Sequence, residues 1–183
     1  MRWDRDRVAE PIAHKLLSAT VMPRPIAWVV TQSPDGTLNA APYSFFNVMG
    51  SAPPTLVLGL MADPKRGFKD TATNILATGE FAVNLVSESL VQQMNTTSVD
   101  APTRMSELNL AGLETEASVH IRPPRITARL VAFDCRMLSS VVTGPHQSIV
   151  IGRVLAVHID DRFILNPERA HIDTRPEPRC PQP

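Results

Sequence analysis

The sequence predicts a mainly β fold, a closed antiparallel barrel of about six strands with a few short helices inserted. Three observations predict it. Apolar segments rich in β-branched and aromatic residues recur at 26–31, 55–61, 80–86, 126–142 and 149–159, as expected of strands that bury at least one face. The 17 prolines fall mainly at the edges of such segments, among them Pro23, Pro25, Pro53, Pro54, Pro123 and Pro124. A residue without an N–H ends strand pairing there without interrupting it. No regular alternation of strand and helix runs through the chain, which argues against a doubly wound parallel sheet.

Taken in order, residues 14–17 read as a short helix or turn after a polar start. Ile26-Ala27-Trp28-Val29-Val30-Thr31 has strand content, Ser33-Pro34-Asp35-Gly36 is a turn signal, and 38–46 forms the returning arm of a hairpin. Segment 55–61 follows Pro53-Pro54 and is almost wholly apolar; it is too short for a buried helix and is expected to be a strand buried on both faces. From 69 to 78 the period becomes helical, with Asp70 or Thr71 as a cap, Ile75 and Leu76 on the apolar side and Gly79 as the stop. Alternation returns at 80–86, and Ser87 can cap a second helix reaching residue 94. Residues 95–112 are polar and irregular, long enough for a lid or an arm that packs on a partner subunit. The last two strands, 126–142 and 149–159, are separated by Thr143-Gly144-Pro145-His146-Gln147. Without a repeat or an internal boundary the chain reads as a single domain, 1–183, with its core at about 16–160 and 166–183 as a tail or dimer arm.

Basic and acidic residues balance at 18 each, with a pI near 7.0, so no general attraction to nucleic acid or anionic lipid is expected. No apolar run approaches the roughly 20 residues of a membrane span, and the start, Met1-Arg2-Trp3-Asp4-Arg5, is too charged for a secretory signal. The expected location is cytoplasmic, away from the membrane. Cys135 and Cys180 are expected to be free thiols. The histidines are too scattered for a metal site, and none is expected.

Two segments carry chemistry. Tyr43-Ser44-Phe45-Phe46-Asn47 mixes aromatic and polar residues in a strand that can offer backbone amides to a flat polar ring. Lys69-Asp70-Thr71 opens a helix, where the first amides lack partners and the dipole is positive, a ready site for an anion. A lysine at that end opposes the dipole, which itself points to an anion nearby. The plain alternative is a core strand and a solvated helix start, and composition leaves both open. Trp28 reads as a core or interface residue.

These segments also stand in an ordered pattern: Arg24-Pro25-Ile26-Ala27-Trp28-Val29, Asp35-Gly36, the stretch 39–47, Lys69-Asp70-Thr71, Asn74-Ile75, Glu80-Phe81, Val83-Asn84-Leu85 and Ile151-Gly152-Arg153-Val154. The pattern resembles the flavin reductase-like family of FMN-binding split barrels. The resemblance implies a Greek-key split β-barrel that forms a homodimer, with FMN at the subunit interface and hydride taken from NADH or NADPH. Tyr43, Ser44, Phe45, Phe46 and Asn47 would then line the ring and ribityl chain, while Lys69, Asp70 and Thr71, with Arg24, would surround the phosphate. Many relatives carry a His five residues before the Gly matching Gly152. Here Gln147 has that offset and His146 lies one place earlier, so a loop difference restores His146 to the redox site or the site lacks it. Nor does 171–176 offer the Gly pair with which relatives often close. The implied function is an NAD(P)H-dependent flavin reductase passing electrons to flavin, oxygen or a partner monooxygenase; the alternative is a non-catalytic FMN carrier on the same barrel.

Overall fold

β-Branched and aromatic runs become strands where pairing can bury them, and the chain forms eleven among its described residues. They are β1 (Ala27–Gln32), β2 (Leu38–Tyr43), β3 (Phe46–Ser51), β4 (Pro54–Met61), β5 (Glu80–Leu85), β6 (Thr115–Glu116), β7 (Arg125–Ile126), β8 (Val131–Gly144), β9 (Gln147–Ile159), β10 (Ile164–Asn166) and β11 (His171–Ile172). The helices are α1 (Glu10–Thr20), α2 (Asp70–Thr78), α3 (Val91–Thr96) and α4 (Glu107–Leu110). The computed structural model describes residues 4, 9–63, 67–99 and 106–173. Cys180 and the Pro-rich end lie outside them.

Seven strands form one antiparallel sheet in the order β2-β1-β5-β8-β9-β4-β3. Its two edges, β2 and β3, are consecutive in sequence, separated only by Ser44 and Phe45. Phe45 O accepts the Gly59 N–H of β4 at 2.7 Å, so the bend bridges the gap and the sheet closes on itself. With β2 and β3 taken as one bent strand there are six strands. The spatial order β5, β1, β2–β3, β4 is then a Greek key, in which a fourth strand returns beside the first. This split barrel corrects one expectation: 38–46 is not one hairpin arm, because its end leaves β1 and pairs with β4.

Alternation along β1 sends Ala27 and Val29 into the barrel and Trp28 and Val30 outward. The interior is filled by Leu56, Leu58, Leu60, Phe81, Val83 and Val150, with Ala72 and Ile75 of α2 packed against it. Outside, Trp28, Val30 and Ala82 are covered by Leu90, Leu108, Ile121 and Ile126 from the excursion between β5 and β8. Asn84, fully buried, pins that cover: its Nδ2 donates to Trp28 O at 3.1 Å and its Oδ1 accepts the Ile126 N–H at 3.0 Å. Each large apolar side chain so buried contributes about 1.5–3 kcal/mol.

Other expectations shift at their edges. α1 is longer than the 14–17 segment, with Pro11 in its first turn where the missing N–H costs nothing. β4 buries Leu56, Leu58 and Leu60 but leaves Met61 46% exposed, so it is one-sided and not buried on both faces. β8 and β9 extend to a two-residue turn at Pro145-His146. Ile126 is not part of the long strand, which begins at Val131, but pairs in β7 with Thr115. The 95–112 stretch contains α4, and the described part of 166–183, residues 166–173, folds back in the β10–β11 hairpin, with Asp173 N donating to Phe163 O.

Candidate functional site

A cavity of about 670 Å³ lies where β2, the 44–45 bend, β4, the start of α2, α1 and the α3–α4 excursion meet. That volume is in the range of small-molecule sites.

One wall is the start of α2. Lys69 stands at its N-cap and its side chain makes no capping hydrogen bond, so it leaves the first amides of the helix to other partners. Thr71, 1% exposed, accepts from Asn39 Nδ2 at 2.7 Å, and Asn74 Nδ2 donates to Thr31 Oγ1 at 3.0 Å. These bonds fix the helix onto β1 and β2, and Gly79 in the left-handed conformation ends it. Tyr43 faces the same space. Burial pushes its phenol above the ordinary range, the Thr71 contact opposes this, and Glu107 and Asp70 add to it.

Phe45, Gly59, His14 and Arg24 form another part of the wall. A Cβ on Gly59 would stand 2.9 Å from the Phe45 Cβ, so glycine alone lets β4 approach the bend. The His14 ring of α1 meets Phe45 edge-on, with centroids 5.7 Å apart at 73°. Arg24 Nη1 donates to Ser18 O and Val21 O, tying the end of α1 beside the cavity. Its guanidinium is therefore partly committed to the protein.

Of the residues singled out from sequence, Arg24, Tyr43, Ser44, Phe45, Lys69, Asp70 and Thr71 line this one cavity. Three others do not. Phe46 pairs with Leu58 and turns into the barrel interior, 8% exposed. Asn47 points to the next face, exposed, with its Oδ1 accepting the Val48 N–H. His146 is exposed in the β8–β9 turn, where its carbonyl accepts Ala62 N–H at 2.8 Å; its imidazole lines no part of the cavity. The bend at 44–45 is the common cause for the first two, because it restarts the in-out alternation at Phe46. Asn39, which opens the stretch 39–47, is in the lining too, and sequence reasoning missed Glu107, His14 and Gly59 there. Glu107 is 6% exposed and its Oε2 accepts Ala40 N–H at 3.1 Å.

Buried at the barrel's centre, Cys135 has its thiol pushed far up by desolvation and lies off the cavity. Among the described residues, no group of three or more His, Cys, Asp or Glu is arranged to hold a metal ion, and no helix is long and apolar enough to cross a membrane.

The six-stranded barrel, closed at the 44–45 bend and carrying a cavity beside it, is a split barrel. Residues 18–170 match the family model described as the flavin reductase like domain. The chain belongs to that family, and its function is flavin-related redox chemistry. It is 39% identical over 152 residues to an uncharacterized protein of Aquifex aeolicus, spanning 82% of this chain and 76% of the relative. Among solved structures, it is similar to nitrilotriacetate monooxygenase component B from Bacillus cereus, with a TM-score of 0.89 and 29% identity, covering 94% of this chain and 86% of the other. It is also similar to 2-nitrobenzoate 2-nitroreductase of Pseudomonas fluorescens, with a TM-score of 0.84 and 30% identity over 94% and 83% of the two chains.

Proposed function

We propose that this protein is an NAD(P)H-dependent flavin reductase that holds FMN in the cavity, works as a homodimer and passes electrons to free flavin, oxygen or a partner oxygenase. The observation that carries the reading is that the 43–45 bend and the start of α2 face one space of about 670 Å³. The residues fit such a ligand: an uncapped helix start with a lysine suits a phosphate, and a strand bend beside aromatic rings suits a flat heterocycle.

When bound, the flavin supplies the ring that accepts hydride from a nicotinamide and hands the electrons on. The chain's own part is to bind and shield. Lys69 and the first amides of α2 bind the phosphate, Tyr43 and Ser44 position the ring edge, and Phe45, Phe68 and Met61 keep water from it. No side chain of this cavity is assigned to hydride transfer, and His146 is left out of the catalytic set. The similarity to a monooxygenase component supports the partner-oxygenase role. Met61, Val141 and Ile149, exposed by 37–47%, share one face of the adjacent strands β4, β8 and β9. A second copy is the occupant this face fits, since an apolar patch of that kind is unusual on a monomer.

The test is a visible spectrum of the purified protein with FMN, before and after anaerobic addition of NADH or NADPH. A bound-flavin spectrum that bleaches, with an FMN-induced rise in melting temperature, is the expected result. Absence of any flavin binding overturns the reading. A second reading, a non-catalytic FMN carrier, is favoured by the position of His146 outside the cavity. Rapid FMN-dependent oxidation of either nicotinamide rejects it.

A further inference from the structure

Three residues of the cavity lining come from α1 and the segment just after it: His14 and Ser18, one turn apart on the helix, and Arg24. α1 is lightly held. None of residues 11–20 is buried, and the apolar Leu17 and Met22 are 61% and 68% exposed. Helices owe most of their stability to an apolar face packed on the body. One with so little buried belongs to the least stable part of a fold, from which lids are drawn.

Two contacts seat α1 beside the cavity. The His14 ring meets Phe45 edge-on, and Arg24 Nη1 donates to Ser18 O, in the last turn, and to Val21 O at 2.8 Å. The carbonyls of a last turn have no partner within their own helix, so the guanidinium acts as its cap. A guanidinium carries five donors in a fixed fork. Among the described residues Arg24 Nη2 makes no hydrogen bond, and Nε is buried without a partner. A buried donor left unmade is costly, so this seat lacks an acceptor. Nε and Nη2 together form the edge of the fork that grips a phosphate through two parallel bonds.

We propose that α1 is a lid on the cavity and that Arg24 ties its closure to the ligand: the guanidinium bridges the helix end and the phosphate of a bound flavin nucleotide, so that filling the cavity orders α1. The tie presupposes the assignment of the cavity to flavin. An open lid admits the ring; a closed one brings His14 and Ser18 over it and keeps water out. Coupling of this kind is reciprocal. Whatever loosens α1 weakens FMN, and a ring bound without its phosphate leaves α1 loose.

The test is hydrogen–deuterium exchange of the full chain, read by mass spectrometry over residues 11–22, without ligand, with saturating FMN and with saturating riboflavin, occupancy being followed by the flavin spectrum. FMN is expected to slow exchange there by about fivefold or more, and riboflavin by less than about twofold. Arg24→Lys keeps the charge and loses the fork; its α1 is expected to exchange faster without ligand and to respond to FMN by less than about twofold. Leu17→Gly, outside the cavity lining, weakens the helix without touching the ligand. Its FMN affinity is expected to fall by about three- to fivefold with riboflavin affinity unchanged. Exchange in α1 untouched by bound FMN, exchange slowed as much by riboflavin, or FMN affinity unchanged in Leu17→Gly each overturns the lid. A wild-type protein that shows no bound flavin in its spectrum overturns the flavin assignment itself, and the tie with it.

Discussion

Trp28 and Thr97 are joined by a buried hydrogen bond, Nε1 to Oγ1 at 2.9 Å, with the two residues 0% and 1% exposed. Thr97 passes its own hydroxyl proton to Met94 O at 2.8 Å. The bond couples the outer face of β1 to the end of α3, and Thr97, Ser98 and Val99 are part of the cavity wall. The outer cluster and the site thus share a joint.

Replacing Thr97 by Val keeps the shape and leaves the indole N–H buried without a partner. The expected loss is about 1–2 kcal/mol, or a fall in melting temperature of roughly 2–8 °C for a chain of this size. Trp28→Phe in the same background removes the stranded donor, so the double variant is expected to lose less than the sum of the singles. Strict additivity in thermal melts would show that the bond carries no such coupling.

Lys69→Gln removes the positive charge at the N-cap of α2 without touching the helix interior. If that end binds phosphate, FMN affinity falls by about tenfold or more, the worth of a charge-assisted hydrogen bond. Riboflavin affinity is expected to change by less than about twofold. Equal losses for the two ligands would place the phosphate elsewhere.

Sequence pattern located the strands because hydrophobic alternation is local: Ala27 and Val29 against Trp28 and Val30 announce a two-faced strand before any partner is known. Gly79 as a helix stop is local in the same way. The bend at Ser44-Phe45 was not legible, since it is set by the distant Gly59, whose bare Cα admits Phe45. That one contact moved Phe46 and Asn47 out of the predicted site. Glu107 was missed for a related reason. It lies in an aperiodic stretch, and only the fold brings it to Ala40 and Asp70. Half of the site, the aromatic bend and the helix start, was written in contiguous motifs; the other half is assembled from segments with no period to read.

Glu80 makes a small contribution to stability in acid. Desolvation is the largest single influence on its carboxyl and raises it, but the Arg122 amide and guanidinium together with Arg136 outweigh it and hold the group below its ordinary 4.5. A depressed carboxyl stabilises the fold above the unfolded value, and that contribution is lost as pH falls from about 4.5 through the lower folded value. Both arginine side chains are more than half exposed, so the effect is modest, about 1 kcal/mol or less. Urea melts between pH 3 and 7 are expected to show Glu80→Gln losing part of the wild-type acid sensitivity; a parallel pair of curves would contradict this.

Asp134 is a stronger constraint, because its side chain is completely buried. Oδ2 accepts the amides of Val119 and His120 at 3.0 and 3.2 Å, and Oδ1 stands 3.2 Å from His158 Nε2. The carboxylate therefore holds the segment carrying Ile121, which covers Trp28 in the outer cluster. Asp134→Ala strands two amides and removes the partner of His158, and a cost of about 3 kcal/mol or more is expected. Asp134→Asn leaves an acceptor for the amides and is expected to cost about half as much. The smallest loss belongs to His158→Gln, whose side chain is 17% exposed and can turn to water. Because Trp28 in turn holds Thr97, the alanine variant is also expected to speed amide exchange at Ser98 and Val99 on the cavity wall. A variant within about 0.5 kcal/mol of wild type in urea, with exchange at those amides unchanged, would break the chain of contacts from Asp134 to the site.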